Sequence, residues 1–257
     1  MGAQQNPRNL ADQTAPAPLF VAEHVDCTVP NDSGGKRVIF DDLAFHVNAG
    51  EIVDLTGASG AGKTTLLTAF ARLNVNTTGT FTLAGRDSGD FTPQEWRRAV
   101  SYLPQTSMLM GETVADAVRL PWTFKVRSRA TKGAGKTPRE LLPDATIRAL
   151  LDEMGCEDID LARPPANLSG GQAARVSLCR TLLTHPRVLL ADEVDAGLDA
   201  ENAAKVGVVF TKAAAGGMAI IRIRHRQSDH RAKRIMVLEN GKLHEEQAGE
   251  PVEAIAR

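Results

Sequence analysis

The sequence predicts an α/β fold built on a mostly parallel sheet with both faces covered, and three observations carry that reading. Short apolar runs alternate along the chain with stretches of helical period, the trace that βα units leave in a sequence. The run Glu51–Thr56 passes straight into a glycine cluster and then into a helix-period segment. A second run, Val188–Ala191, is apolar at every position, as a strand covered on both faces is.

The elements follow in order. Phe20–Cys27 has β character, and after the break at Pro30–Gly35 the segments Arg37–Phe40 and Leu43–Val47 read as two more short strands. Asn48-Ala49-Gly50 is a turn ahead of strand Glu51–Thr56. A helix is predicted over Lys63–Leu73, with apolar residues at Leu66, Leu67, Phe70, Ala71 and Leu73. Gly79–Ala84 is a strand, Thr92–Ala99 a short helix opened by Thr92-Pro93, and Val100–Leu103 a strand ending at Pro104. The stretch from Gln105 to Asn167 changes character. It reads as a helical insertion, with helices near Val114–Leu120 and Asp144–Met154 around a basic loop, Lys125–Arg139. Helices follow at about Gln172–Leu183 and Glu201–Ala214, and strands at Met218–Ile223 and Ile235–Leu238, the last closed by the turn Glu239-Asn240-Gly241.

Composition narrows the function. In 257 residues, 30 basic side chains face 31 acidic ones, so the net charge of -1 gives no field that would steer the chain onto nucleic acid. Aromatics at 4% leave few platforms for stacking bases. Cys27, Cys156 and Cys179 are odd in number and widely spaced, which reads as three reduced thiols. No apolar run is long enough to span a bilayer. Residues 1–18, rich in Gln, Asn, Ala and Pro, read as a disordered tail.

The glycine cluster Gly57-Ala58-Ser59-Gly60-Ala61-Gly62-Lys63-Thr64, followed by Thr65, fits GxxxxGK(S/T). A polyphosphate needs several backbone N–H groups aimed into one concavity, and glycines permit that winding while the following helix adds its positive end. Lys63 then reaches the β- and γ-phosphates and the Thr64 hydroxyl binds Mg²⁺. The similar Gly133-Ala134-Gly135-Lys136-Thr137 has no strand before it and Pro138 after it, and reads as a solvated basic loop. Leu189–Glu193 is an apolar strand ending in two acids: Asp192 is delivered beside the Mg²⁺ shell, and Glu193 is placed to polarise an attacking water. Leu168-Ser169-Gly170-Gly171-Gln172 opens another helix with small residues, a second anion site. One nucleotide has one triphosphate, so two such helix starts are reconciled by two copies facing head-to-tail.

Together these motifs resemble the nucleotide-binding subunit of an ABC transporter, over roughly Leu19 to Gly249. The resemblance implies a P-loop NTPase (RecA-like) core with a mostly parallel sheet, an antiparallel β subdomain and a helical subdomain at about 106–167. It implies a single ATPase domain over 19–257. Gly57–Thr65 resembles the Walker A loop, Leu168–Gln172 the signature, and Leu189–Glu193 Walker B with its catalytic glutamate. Gln105 resembles the Q-loop glutamine, a further Mg²⁺ ligand, Ala196-Gly197-Leu198-Asp199 the D-loop, and His225 the switch histidine. ATP and Mg²⁺ are the implied cofactors. An integral-membrane permease and a second copy of the chain are the implied partners, with no nucleic acid, and the implied place is cytoplasmic, on the inner face of the membrane.

Val100–Thr106, Gly111–Asp116 and Leu120-Pro121-Trp122 further resemble the ATPase subunit of the bacterial iron-export type. Trp122 and Phe124 read either as core residues of the insertion or as the lining of a groove for a permease helix. A soluble ABC ATPase and a membrane-bound mechanical coupler are the alternative readings; the single cassette and the lack of sustained heptads weigh against the first. The pattern departs from the family at several places. Val29 stands where an aromatic usually stacks on adenine, Ala196 where a serine is common, Arg224 and Arg226 flank His225, and Asp54 lies inside an apolar strand.

Overall fold

The computed structural model describes residues 17–30, 34–124, 136–224 and 228–246. The tail, part of the basic loop with Gly133–Gly135, and His225 lie outside them. Two sheets form. The first has order β2-β1-β4-β5, from β1 (Phe20–Pro30), β2 (Lys36–Val47), β4 (Thr77–Leu83) and β5 (Arg86–Asp87), all antiparallel. The second has order β10-β9-β3-β8-β7-β6, from β3 (Ile52–Thr56), β6 (Val100–Leu103), β7 (Val188–Asp192), β8 (Ala219–Ile223), β9 (Arg234–Glu239) and β10 (Lys242–Glu246). It is parallel except at β10, which turns back on β9. That hairpin closes through Asn240 and Gly241, both at positive φ, as a tight two-residue turn requires.

The α-helices are α1 (Lys63–Phe70), α2 (Pro93–Ala99), α3 (Val114–Arg119), α4 (Pro138–Leu141), α5 (Asp144–Glu153), α6 (Gly170–Leu183) and α7 (Ala200–Ala215). One core joins the antiparallel sheet to α1, α2 and one face of the parallel sheet, around Phe20, Phe70, Phe81 and Trp96. Trp96 donates its indole N–H to the Phe70 carbonyl at 2.9 Å, which satisfies a carbonyl at the end of α1. The other core packs α3, α5, α6 and α7 against the remaining sheet face, through Ile147, Leu151, Val176, Leu189 and Phe210. Arg119, almost buried, holds α3 to α5 by donating to the Leu142 carbonyl at 2.9 Å and to Asp144.

Several element bounds differ from the sequence reading. The two short strands over 37–47 are one strand, because Asp42 takes a positive φ and lets the pairing with β1 continue past the irregularity. Helix α1 stops three residues early. Arg72 adopts φ 53, its N–H bonds to the Ala69 carbonyl, and the Leu73 N–H bonds to the Thr68 carbonyl. That is a left-handed helix stop made without glycine, and it leaves Leu73 45% exposed. Helix α4, β5 and β10 were absent from the sequence reading; α4 begins in the basic stretch, where Thr137 caps Pro138–Leu141 and Glu140 caps back. Cys27, Cys156 and Cys179 are buried free thiols. Among the described residues no helix is long and apolar enough to cross a membrane.

Candidate nucleotide site

The phosphate loop joins β3 to α1 and every glycine in it has a positive φ: 134° at Gly57, 78° at Gly60 and 103° at Gly62. Gly57 has a steric reason as well, since a Cβ there would lie 2.3 Å from the Leu238 carbonyl oxygen of β9. Gly60 faces open space, with nothing within 4 Å of where its Cβ would be. Ala58, Ser59, Gly60 and Thr64 are exposed, while Ala61 and Thr65 are half-buried. Gly62 is the N-cap of α1 and offers no side-chain cap, so the first-turn N–H groups remain open to an external anion. Lys63 is buried, and its ammonium donates to the carbonyls of Gly57 at 2.8 Å and Ala58 at 3.0 Å. The charge is folded over the loop, where phosphate oxygens would be stronger partners than carbonyls.

Strand β7 is buried at all five positions and carries Asp192 to the same edge of the sheet. Asp192 is buried and accepts a hydrogen bond from the Tyr102 hydroxyl of β6 at 2.8 Å. Burial, then that bond to a carboxylate, raises the Tyr102 pKa, so the phenol stays a donor. Glu193 follows at φ 49, a left-handed turn for a non-glycine residue, which costs about 1–3 kcal/mol. Its carboxylate accepts from the Gln105 amide at 2.7 Å. The second residue after β6 and the first residue after β7 thus meet, across 88 positions of sequence. Thr64, Asp192 and Gln105 supply oxygen donors of the kind that suits a hard cation such as Mg²⁺.

The second helix start is built differently. Ser169 caps α6: its hydroxyl accepts from the Gln172 N–H at 3.3 Å, and the Gln172 side chain accepts from the Ser169 N–H at 3.0 Å. Gln172 also donates to Asp158 at 2.8 Å. Ser169 and Gly170 are exposed, and a Cβ at Gly170 would meet nothing within 4 Å. Gly171 lies against the turn after β7, its missing Cβ 3.2 Å from Leu198. Arg175 fastens the two together. It donates to the Gly171 carbonyl at 3.2 Å and to Asn202 at 2.5 Å, and Asn202 donates its N–H to Asp199, the N-cap of α7, at 2.8 Å. The segments 168–172 and 196–199 form one surface.

A buried ionic cluster lies behind the site. Asp54 and Arg222 are neighbours in register across β3 and β8. Arg222 donates to Asp54 at 2.5 Å and to Asp229 at 2.6 Å, with both Asp54 and Arg222 side chains at most 6% exposed. Arg224 pairs with Asp195 at 3.1 Å and with Asp229 at 2.9 Å. Burial raises the Asp54 pKa against the opposing charge of Arg222. For Asp229 burial acts in the same upward direction but is outweighed by the hydrogen bonds and charge of Arg222, which hold it down at about 2. Asp54 and Arg224, departures visible in the sequence, take as partners Arg222 and Asp195, which no local pattern assigns to them, and Tyr102 likewise meets Asp192. The available signal was opposite charge on two strands that both read as core.

At the other end of the loop, a cavity of about 640 Å³ is lined by Arg37, Ile39, Gly57–Ala61 and the β9–β10 turn. Val29 pairs with Arg37 across β1 and β2 and packs on the core; Arg37, not Val29, lines the cavity.

Comparison with known proteins agrees with this arrangement. The family model for ABC transporters matches residues 40–196. The chain is 37% identical over 169 residues to the probable iron export ATP-binding protein FetA of Escherichia coli K12, covering 65% of this chain and 69% of that protein. It is 32% identical to the macrolide export ATP-binding/permease protein MacB of Salmonella paratyphi A, over 82% of this chain but only 32% of MacB. In fold it resembles a dimeric ATP-binding cassette in a post-hydrolysis state with ADP and Pi, at a TM-score of 0.73 and 24% identity, over 90% of this chain and 99% of the other. It also resembles a bacterial Atm1-family ABC exporter with ATP bound, at a TM-score of 0.70 and 25% identity, over 93% of this chain and 40% of the other. With the phosphate loop, the acid-tipped strand and the Ser-Gly-Gly helix start held on one sheet edge, the chain belongs to the ABC transporter family and is an ATPase of that family.

Proposed function

We propose that two copies of this chain, facing head-to-tail, hydrolyse ATP to drive a separate membrane permease. The observation that carries this reading is the 2.7 Å contact between Gln105 and Glu193, which ties the start of the helical insertion to the candidate general base. Gly57–Thr65 holds the phosphates, with Lys63 transferring its hydrogen bonds from the loop carbonyls to the β- and γ-oxygens. Thr64, Gln105 and Asp192 would hold Mg²⁺, which would supply positive charge against the phosphates. Glu193 takes the proton of the attacking water, and the switch role of His225 stays part of the proposal. The adenine rests in the cavity beside Arg37 and Ile39 and is held without an aromatic at Val29.

Ser169 and Gly170 of the other copy complete the γ-phosphate end. The Ser169 hydroxyl accepts within its own helix start and keeps a proton to donate. Replacing it with arginine is expected to lower turnover about hundredfold, the scale of losing one donor at a charged transition state. ATP binding to the monomer should change by less than about twofold, since the phosphate loop is untouched. Unchanged turnover would remove the composite site.

The permease contact is assigned to a groove of about 510 Å³ between the sheet and the insertion, lined by Leu73, Arg97, Arg98, Tyr102, Phe124 and Arg180. Phe124 is 53% exposed in the groove, and Met108, whose carbonyl accepts from Arg180 of its lining, is 71% exposed. Tyr102 lines the groove and bonds Asp192, so a permease segment would act on the metal-binding strand through one side chain. Phe124→Asp should weaken co-purification with a multi-spanning membrane protein by at least about thirtyfold, the scale of losing one buried aromatic anchor. Failure to recover any such protein with the wild-type chain would favour the soluble-ATPase reading. Iron as the cargo follows the similarity to FetA. Unchanged metal content in cells lacking the chain would count against it.

A further inference from the structure

We infer that Arg224 is a positioning residue for hydrolysis, holding the turn that carries Glu193 through its ion pair with Asp195. The inference rests on the reading of Glu193 as the base. Three observations lead to it. First, the turn after β7 holds Glu193 at a positive φ, with the Ala196 N–H on the Glu193 carbonyl at 3.1 Å and the Leu198 N–H on the Asp195 carbonyl at 3.2 Å. Second, the one charged side chain pointing inward from the middle of that turn is Asp195, 10% exposed, and Arg224 at the end of β8 meets it at 3.1 Å. Third, Arg224 is itself anchored, because Asp229 lies 2.9 Å away and is held in turn by Arg222, which grips Asp54 in the strand leading to the phosphate loop.

The chain Asp195–Arg224–Asp229–Arg222–Asp54 therefore connects the base-bearing turn to the phosphate-loop strand through side chains that are all largely buried. A guanidinium suits the post: it keeps its charge, its Nε donates to Asp195 in a fixed direction, and its Nη1 meets Asp229 as an ion pair. The same turn leans on the start of α6 through Leu198 and Gly171. Displacing it would move the Glu193 carboxylate relative to the phosphates and shift the surface that faces the other copy. A displacement of the order of 1 Å at a reacting group costs about a hundredfold in rate.

The test uses the full chain with Arg224→Lys, which keeps the charge and loses the fork, and Asp195→Asn, which keeps the shape and loses the charge. Steady-state ATPase kinetics, ATP binding and thermal unfolding are measured for each. The expected result is a fall in kcat of about tenfold or more, with KM and the ATP dissociation constant within about twofold of wild type and the folded state retained. Two results would overturn the inference. One is kcat within about twofold of wild type in both folded variants. The other is failure of both to fold, which would assign the pair to core stability. Glu193→Gln is run alongside. If that variant keeps full turnover, the reading of the base fails; if it loses turnover while Arg224→Lys does not, only the positioning role fails.

Discussion

Glu193→Gln is expected to lower ATP turnover by about 10²–10⁴-fold, the contribution of a positioned general base. The substitution is nearly isosteric. It leaves Asp192 with its Tyr102 bond and Lys63 with its loop contacts, so nucleotide binding should persist. The contact with Gln105 changes character, because a charge-assisted hydrogen bond becomes one between two amides. Gln105→Ala should therefore have the smaller effect of the two, since it removes a partner of the base and one metal donor but not the base. Single-turnover measurement of phosphate release separates the chemical step from product release.

Arg222→Met should be the most destabilising single change behind the site, by about 3–5 kcal/mol, because it leaves Asp54 and Asp229 in the protein without their shared partner. Arg222 is almost fully buried between β3, β8 and the segment that follows β8. Its removal would strand a carboxylate whose burial already raises its pKa. The urea midpoint reads the loss directly. The double substitution Asp54→Val with Arg222→Met should recover much of it, since Asp229 keeps Arg224 and the charge most deeply buried is gone. A single variant as stable as wild type would mean that the cluster contributes nothing net.

The phosphate loop, the acid-tipped strand and the Ser-Gly-Gly helix start were legible in the sequence because their chemistry is local. Consecutive residues set the glycine winding, the burial of β7 and the cap of α6. What was not legible depends on which strands become neighbours. Asp54 and Arg222 are 168 positions apart and become a pair only through the β3–β8 register. Tyr102 meets Asp192 only because β6 borders β7. The early stop of α1 was missed for a different reason: Arg72 takes the left-handed conformation usually given to glycine, and no glycine marks it. The cavity beside the phosphate loop is a third kind. Val29 holds the position expected to face the base, yet its cross-strand partner Arg37 is the side chain that lines the cavity.

The head-to-tail pairing is the central claim, and the mass of Glu193→Gln in solution with ATP and Mg²⁺ tests it most directly. The account predicts a species of twice the 27.5 kDa chain mass, holding two ATP, that disperses when ATP is removed and does not form when Ser169→Arg is added. A chain that binds ATP at saturation and remains monomeric, or that dimerises equally well with Ser169→Arg, would contradict it.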